Sequence, residues 1–107
     1  MESHEYGLEF LPSAMRDMVD IVRYIAVELK NPVAANNTAG ELIEAAENIP
    51  SFPYANPAYI PIRPLKHEYR KLIVKNYIML YRVDEARKLV TVSRVVYARR
   101  DYDKILE

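Results

Sequence analysis

The chain has 107 residues and reads as a single domain over 1–107; without cysteine it is denied disulfides, thiolate nucleophiles and cysteine-held zinc or iron–sulfur groups, and two histidines argue against a histidine-built metal site. Its zero net charge hides a division: residues 1–60 hold three Lys/Arg against nine Asp/Glu, a net of −6, and residues 61–107 hold twelve against six, a net of +6. No apolar run approaches the roughly 18–20 residues that span a bilayer, and the start MESHEYGLEF lacks a basic signal-peptide region, so a soluble cytoplasmic protein with no membrane partner and no cofactor is expected.

Tyr6, Leu8 and Phe10 alternate with Gly7 and Glu9, the pattern of a short half-buried strand. Pro12-Ser13 stops it, and Ser13 is the expected cap of a helix over 14–30, where Met15, Met18, Val19, Val22, Ile25, Ala26 and Leu29 fall at helical spacing. Asn31 and Pro32 end that helix and open a second one to about Asn48, Asn31 as cap and Pro32 in the first turn. Ala35, Ala39, Leu42, Ile43 and Ala46 form its stripe, and their small size suggests an antiparallel hairpin with the first helix. Gly40 either permits a close approach there or merely weakens the helix.

Five of the seven prolines lie between Pro50 and Pro64, which excludes a regular helix or a central strand. An ordered loop wrapping the helix ends, anchored by Phe52, Tyr54 and Tyr59, is expected. Three strand-like runs follow, over 69–74, 77–83 and 89–97. Lys75-Asn76 makes a two-residue hairpin turn and residues 84–88 a longer one, which implies an antiparallel meander. Residues 101–107 allow one helical turn, with Ile105 and Leu106 folding back. The order is β-α-α-β-β-β: an α+β architecture with a helical hairpin packed on one face of a twisted antiparallel sheet. The first strand is expected in the same sheet, its place in the order unreadable from pattern.

Element order and local strings together resemble the RelE/ParE superfamily of bacterial type II toxin–antitoxin toxins. The likeness covers nearly the whole chain. It rests on MVDIVRYI at 18–25, YRKL at 69–72, Asn76-Tyr77 through Tyr81-Arg82-Val83, and SRVVYARRD at 93–101. The family divides into RelE-like ribosome-dependent endoribonucleases and ParE-like inhibitors of DNA gyrase. The acidic first helix and the proline-rich loop look more like the ParE branch. The resemblance implies a small acidic antitoxin as partner, in a possible toxin–antitoxin hetero-oligomer, and either gyrase or the ribosome with its messenger RNA as target. A third reading is a toxin fold that has lost toxicity and serves as an antitoxin's partner.

RNA cleavage through the 2′-hydroxyl needs a base, an acid and cations at the phosphate. By resemblance, Arg70, Lys71, Arg99 and Tyr102 are the catalytic candidates if the chain is a nuclease. The departure is at Ile78: the nucleases typically carry an arginine after the first tyrosine of this strand, and isoleucine cannot replace its forked donors. For binding a target or antitoxin, the candidates are Arg70, Lys71, Arg94, Tyr97, Arg99 and Arg100. Each has a plainer alternative. Arg94 suits a pair with Asp17 or Asp20, Lys71 and Lys75 can guard a sheet edge, Tyr77 and Tyr81 suit the core or its rim, and His67 suits the surface.

Overall fold

A computed structural model describes residues 5–61, 64–98 and 106. The first strand, β1 (Gly7–Phe10), leads directly into α1 (Pro12–Arg23). Proline suits a first helical turn because its missing N–H would find no partner there and its φ is already near helical. Leu11 therefore takes the cap position expected for Ser13. Ser13 lies inside the first turn instead, and its hydroxyl donates to the Ser93 carbonyl at 2.8 Å.

The expected continuous helix changes character at Tyr24. Tyr24–Glu28 forms a π-helical turn, in which the Leu29 N–H donates to the Tyr24 carbonyl at 3.1 Å. Lys30, at φ 52°, ends it in the left-handed region. Asn31 then caps α2 (Pro32–Asn48) as expected, its Oδ1 accepting the Ala34 N–H at 3.1 Å. A Cβ on Gly40 would meet nothing within 4 Å, so no close approach calls for glycine, which there weakens α2 by about 1 kcal/mol relative to Ala.

The strands β2 (Arg70–Val74), β3 (Tyr77–Asp84) and β4 (Leu89–Tyr97) form the expected meander, with Val74 and Tyr77 paired across Lys75-Asn76. The strand order is β1-β4-β3-β2, and the sheet is mixed rather than wholly antiparallel. β1 lies parallel to β4, with Gly7 opposite Leu89 and Phe10 opposite Val92. The helices carry the chain from one edge to the other, and the meander returns, which leaves β4 in the interior of the sheet. That position explains why apolar side chains lie on both of its faces; Val90, Val92, Val95 and Val96 are all buried. Leu80 faces Arg94 while Tyr81 faces Val92, so Ser93 is an extra residue that bulges β4.

The inner face packs Met79, Tyr81, Val90, Val92 and Val95 against Ala14, Leu42, Ala46 and Ile49. On the outer face Ile78, Leu80 and Val96 form a smaller cluster, against which Tyr59 and Leu106 pack. Leu106 thus folds back as expected; the turn expected over 101–107 otherwise lies outside the described residues, as does Ile105.

Segments outside the strands fasten part of each flank of the sheet. β4 continues past the end of β1, and α1 closes that stretch of edge. The Leu11 N–H donates to the Val92 carbonyl at 2.9 Å, and the Asp17 carboxylate accepts the Val95 N–H at 2.9 Å. At the other flank the proline-rich segment runs beside β2 rather than around the helix ends. The Tyr59 N–H donates to the Tyr69 carbonyl at 2.7 Å and the Lys71 N–H to the Pro57 carbonyl at 3.1 Å. Tyr54 and Tyr59 are tied down as expected, whereas Phe52 is 73% exposed. Its backbone placement fixes that outcome, since the segment's inward positions are taken by Pro50 and Pro53, both buried.

Candidate binding site

Two of the expected partner-binding arginines are engaged inside the molecule. The Arg94 Nε donates to Asp17 Oδ2 at 2.7 Å and its Nη2 to Oδ1 at 2.9 Å, a fork on a carboxylate whose side chain is only 15% exposed. The same carboxylate accepts the Val95 N–H, so one group holds both the strand edge and the guanidinium, and it lifts the Arg94 pKa further above the ordinary range. Of the two pairings that the sequence allows, Asp17 is the one formed.

Arg70 fastens the proline-rich segment. Its Nη1 donates to the Asn56 carbonyl at 2.7 Å, its Nη2 lies 3.5 Å from Glu68, and its guanidinium sits 4.8 Å above the Tyr54 ring. Tyr81 continues the fastening from the core: its buried hydroxyl donates to the Pro53 carbonyl at 2.7 Å. Tyr54 in turn donates to Glu85 in the β3–β4 turn, which also accepts the Tyr6 hydroxyl at 2.7 Å and pairs with Lys88 at 2.8 Å. Lys88, then Tyr54 and Tyr6, hold the Glu85 carboxyl down at about 2, and the bond to Glu85 pushes Tyr54 up to about 12.

Lys71 stands on the outer face, opposite Leu80. Beside it Ile73 lies opposite Ile78, and Ile73 is 64% exposed. The position where the resemblance would place a nuclease's strand arginine is therefore part of an apolar patch running through Ile73, Ile78, Leu80 and Val96. Lys75, read as an edge guard, bonds across to Glu41 of α2 at 2.9 Å. Tyr97 lies opposite Tyr77, the two rings edge to face at 5.8 Å. Tyr81 is core and Tyr77 its rim, as the sequence suggests, and His67 is exposed beside Tyr69. Arg99, Arg100 and Tyr102 lie outside the described residues.

A separate concave feature draws on none of these residues. It is an open groove of about 680 Å³ between α1, α2 and β1, lined by Phe10, Met15, Val19, Val22, Val27 and Ile43 among others, with Arg23 and Glu47 at its rim. Met15, Val19, Val27 and Ile43 are each about half exposed, a concentration that a lone folded chain has no reason to present to water. A signal existed in the sequence. The apolar positions of α1 span more of the helix circumference than one buried stripe needs. Among the described residues no group of three His, Asp or Glu is placed to hold a metal, and no helix is long and apolar enough to cross a membrane.

Two helices laid on a four-stranded mixed sheet make up the fold of the RelE/ParE toxin superfamily. Residues 8–102 match the ParE toxin of the type II toxin–antitoxin system parDE, and the chain belongs to that family. No curated protein sequence matches it. Among solved structures it is similar to the chromosomal ParDE toxin–antitoxin system of P. aeruginosa, at 17% identity and a TM-score of 0.72, covering 91% of this chain and 100% of that one. It is also similar to the RelBE2 toxin–antitoxin complex of Mycobacterium tuberculosis, at 19% identity and 0.60, covering 87% and 98%. The archaeal RelE–RelB complex of Pyrococcus horikoshii matches at 12% identity and 0.52, covering 90% and 98%.

Proposed function

We propose that this toxin arrests growth by binding its target, DNA gyrase, without covalent chemistry of its own, and that its antitoxin silences it by laying an apolar segment into the groove between α1, α2 and β1. The observation that carries the first half is the outer face of the sheet. Ile78, where the resemblance would place a nuclease's arginine, is buried with Leu80 and Val96 beneath Tyr59 and Leu106, and Arg70 and Arg94 are held by Asn56, Glu68 and Asp17, whereas phosphoryl chemistry demands free forked cations. Lys71, on the same face, is a point charge that lacks arginine's forked donors. The second half is supported by the half-exposed apolar side chains that line the groove and by the family's two-component nature.

Gyrase supercoiling and cleavage of ribosome-bound message, run side by side with the purified toxin, test the first half. Failed supercoiling with intact message is expected; discrete message cuts with normal supercoiling would establish the RelE-like nuclease instead. For the second half, Ile43→Asp places a charge in the groove at an exposed position. It should weaken antitoxin binding at least about tenfold, measured by calorimetry, with the fold intact.

A further inference from the structure

α1 has a second side that the groove does not use. Asp17, Asp20, Ile21 and Tyr24 fall at i, i+3, i+4 and i+7, one stripe of the helix. Across a cleft of about 300 Å³ this stripe faces Tyr77 of β3 and Tyr97 of β4. Three phenol rings therefore converge on one opening. Tyr77 and Tyr97 meet edge to face, at an interplanar angle of 74°. Tyr24 completes the group: the Tyr77 pKa is raised first by burial, then by the nearby charges of Tyr97 and Tyr24 on ionisation.

The two carboxylates of the cleft differ. Asp17 is saturated by Arg94 and the Val95 N–H. Asp20 has a 3.8 Å contact with Arg23, one turn along the same helix, with both side chains about two-thirds exposed. Such a contact holds little energy and yields readily to a better-placed cation. Tyrosine faces attract cations through their quadrupole, and a carboxylate adjacent to them supplies the net charge. The ligand that satisfies both best is a planar guanidinium, which stacks on a ring while forking to a carboxylate; an ammonium is compact and strongly hydrated, a point charge without the planar face or the fork.

We propose that this cleft receives an arginine side chain presented by the antitoxin, the guanidinium stacked among Tyr24, Tyr77 and Tyr97 and paired with Asp20. The identity of the donor rests on the function proposed above; the affinity of the cleft for a guanidinium does not. Groove and cleft are centred on opposite sides of one helix about 10 Å across, roughly 16 Å apart around its surface. About five extended residues, at roughly 3.3 Å each, carry a segment from one to the other.

Titrating the full chain with N-acetyl-arginine amide, followed by NMR of the tyrosine rings, tests the cleft. Saturable shifts of Tyr24, Tyr77 and Tyr97 are expected, about fivefold weaker binding in Asp20→Asn and about threefold weaker in Tyr24→Leu. Both side chains are exposed, so an unchanged thermal melt verifies that these variants fold. The neutral isostere N-acetyl-citrulline amide should produce no saturable shift. Equal binding of the citrulline or lysine analogue, or an unaffected Asp20→Asn, overturns the proposal. So does binding that emerges only in Arg99→Ala/Arg100→Ala, since the chain's own arginines would then be the occupants. In the toxin–antitoxin complex the three ring signals should be shifted already and indifferent to the probe. A complex that forms yet still responds to it overturns the antitoxin as donor and leaves the proposed function standing.

Discussion

The two flanks of the sheet solve one problem with different chemistry. Each has a row of backbone groups to satisfy, and each uses an arginine from the basic half of the chain. At the β4 flank, Arg94 and the strand's own Val95 N–H converge on the Asp17 carboxylate of α1. At the β2 flank, Arg70 reaches a neutral carbonyl at Asn56 and the face of Tyr54, with Glu68 at the periphery. A charge-assisted, partly buried fork is the more costly arrangement to break, because its surviving partner is left as an uncompensated ion. A basic C-terminal half is thus no measure of free ligand-binding charge. Part of it is structural.

Asp17→Ala should give the largest loss, about 3 kcal/mol in urea unfolding, since it strands Arg94 and the Val95 N–H together. A loss below about 1 kcal/mol would mean that the helix backbone and Ser13 seal this flank without the carboxylate. Arg70→Ala should cost about 1–2 kcal/mol and speed proteolysis within 52–61, with amide exchange of β3 and β4 unchanged. Because the two fasteners lie at opposite flanks and share no partner, the double variant should be additive within about 0.5 kcal/mol; a larger coupling would join what the comparison separates.

A smaller effect is expected in acid. Glu85 is held at about 2 when folded, against an ordinary carboxyl near 4.3 when unfolded. A depressed folded pKa contributes stability that is fully present above the unfolded value and disappears as pH falls through the folded one. The melting temperature should therefore decline between about pH 5 and pH 2, and Glu85→Gln should flatten that limb. An unaltered acid limb would dissociate the β3–β4 turn from the stability of the β2 flank. Lys75→Ala closes the series: its pair with Glu41 is exposed on the lysine side, and its loss should stay under about 0.5 kcal/mol.

Local rules carried the sequence reading a long way. The element order, the Lys75-Asn76 hairpin and the Asn31 cap each depend on neighbours a few residues apart, and each is found as read. Arg94 could be matched to the first helix because an arginine on a mostly apolar strand face suits a carboxylate, such as Asp17 or Asp20. What escaped depends on distant partners. The parallel pairing of β1 with β4 joins residues about eighty positions apart, and nothing in GLEF encodes its direction. Arg70 could not be distinguished from a ligand-binding cation, since its acceptor is a backbone carbonyl within the proline-rich segment. Ser13 has the composition of a cap, but Pro12 pre-empts the position. The apolar groove was visible only as an excess, an α1 stripe too broad for one core.

The placement of β4 has a consequence for how the toxin comes into being. β1, β2 and β3 are all made before it, yet β1 joins the β2–β3 hairpin only through it. While residues 89–97 remain in the ribosome, the first strand has nothing to dock on and the inner core lacks Val90, Val92 and Val95. Contacts of such long range also close slowly. A chain interrupted before residue 89 lacks the strand that joins β1 to the meander, and the finished fold exists only after translation has delivered the keystone.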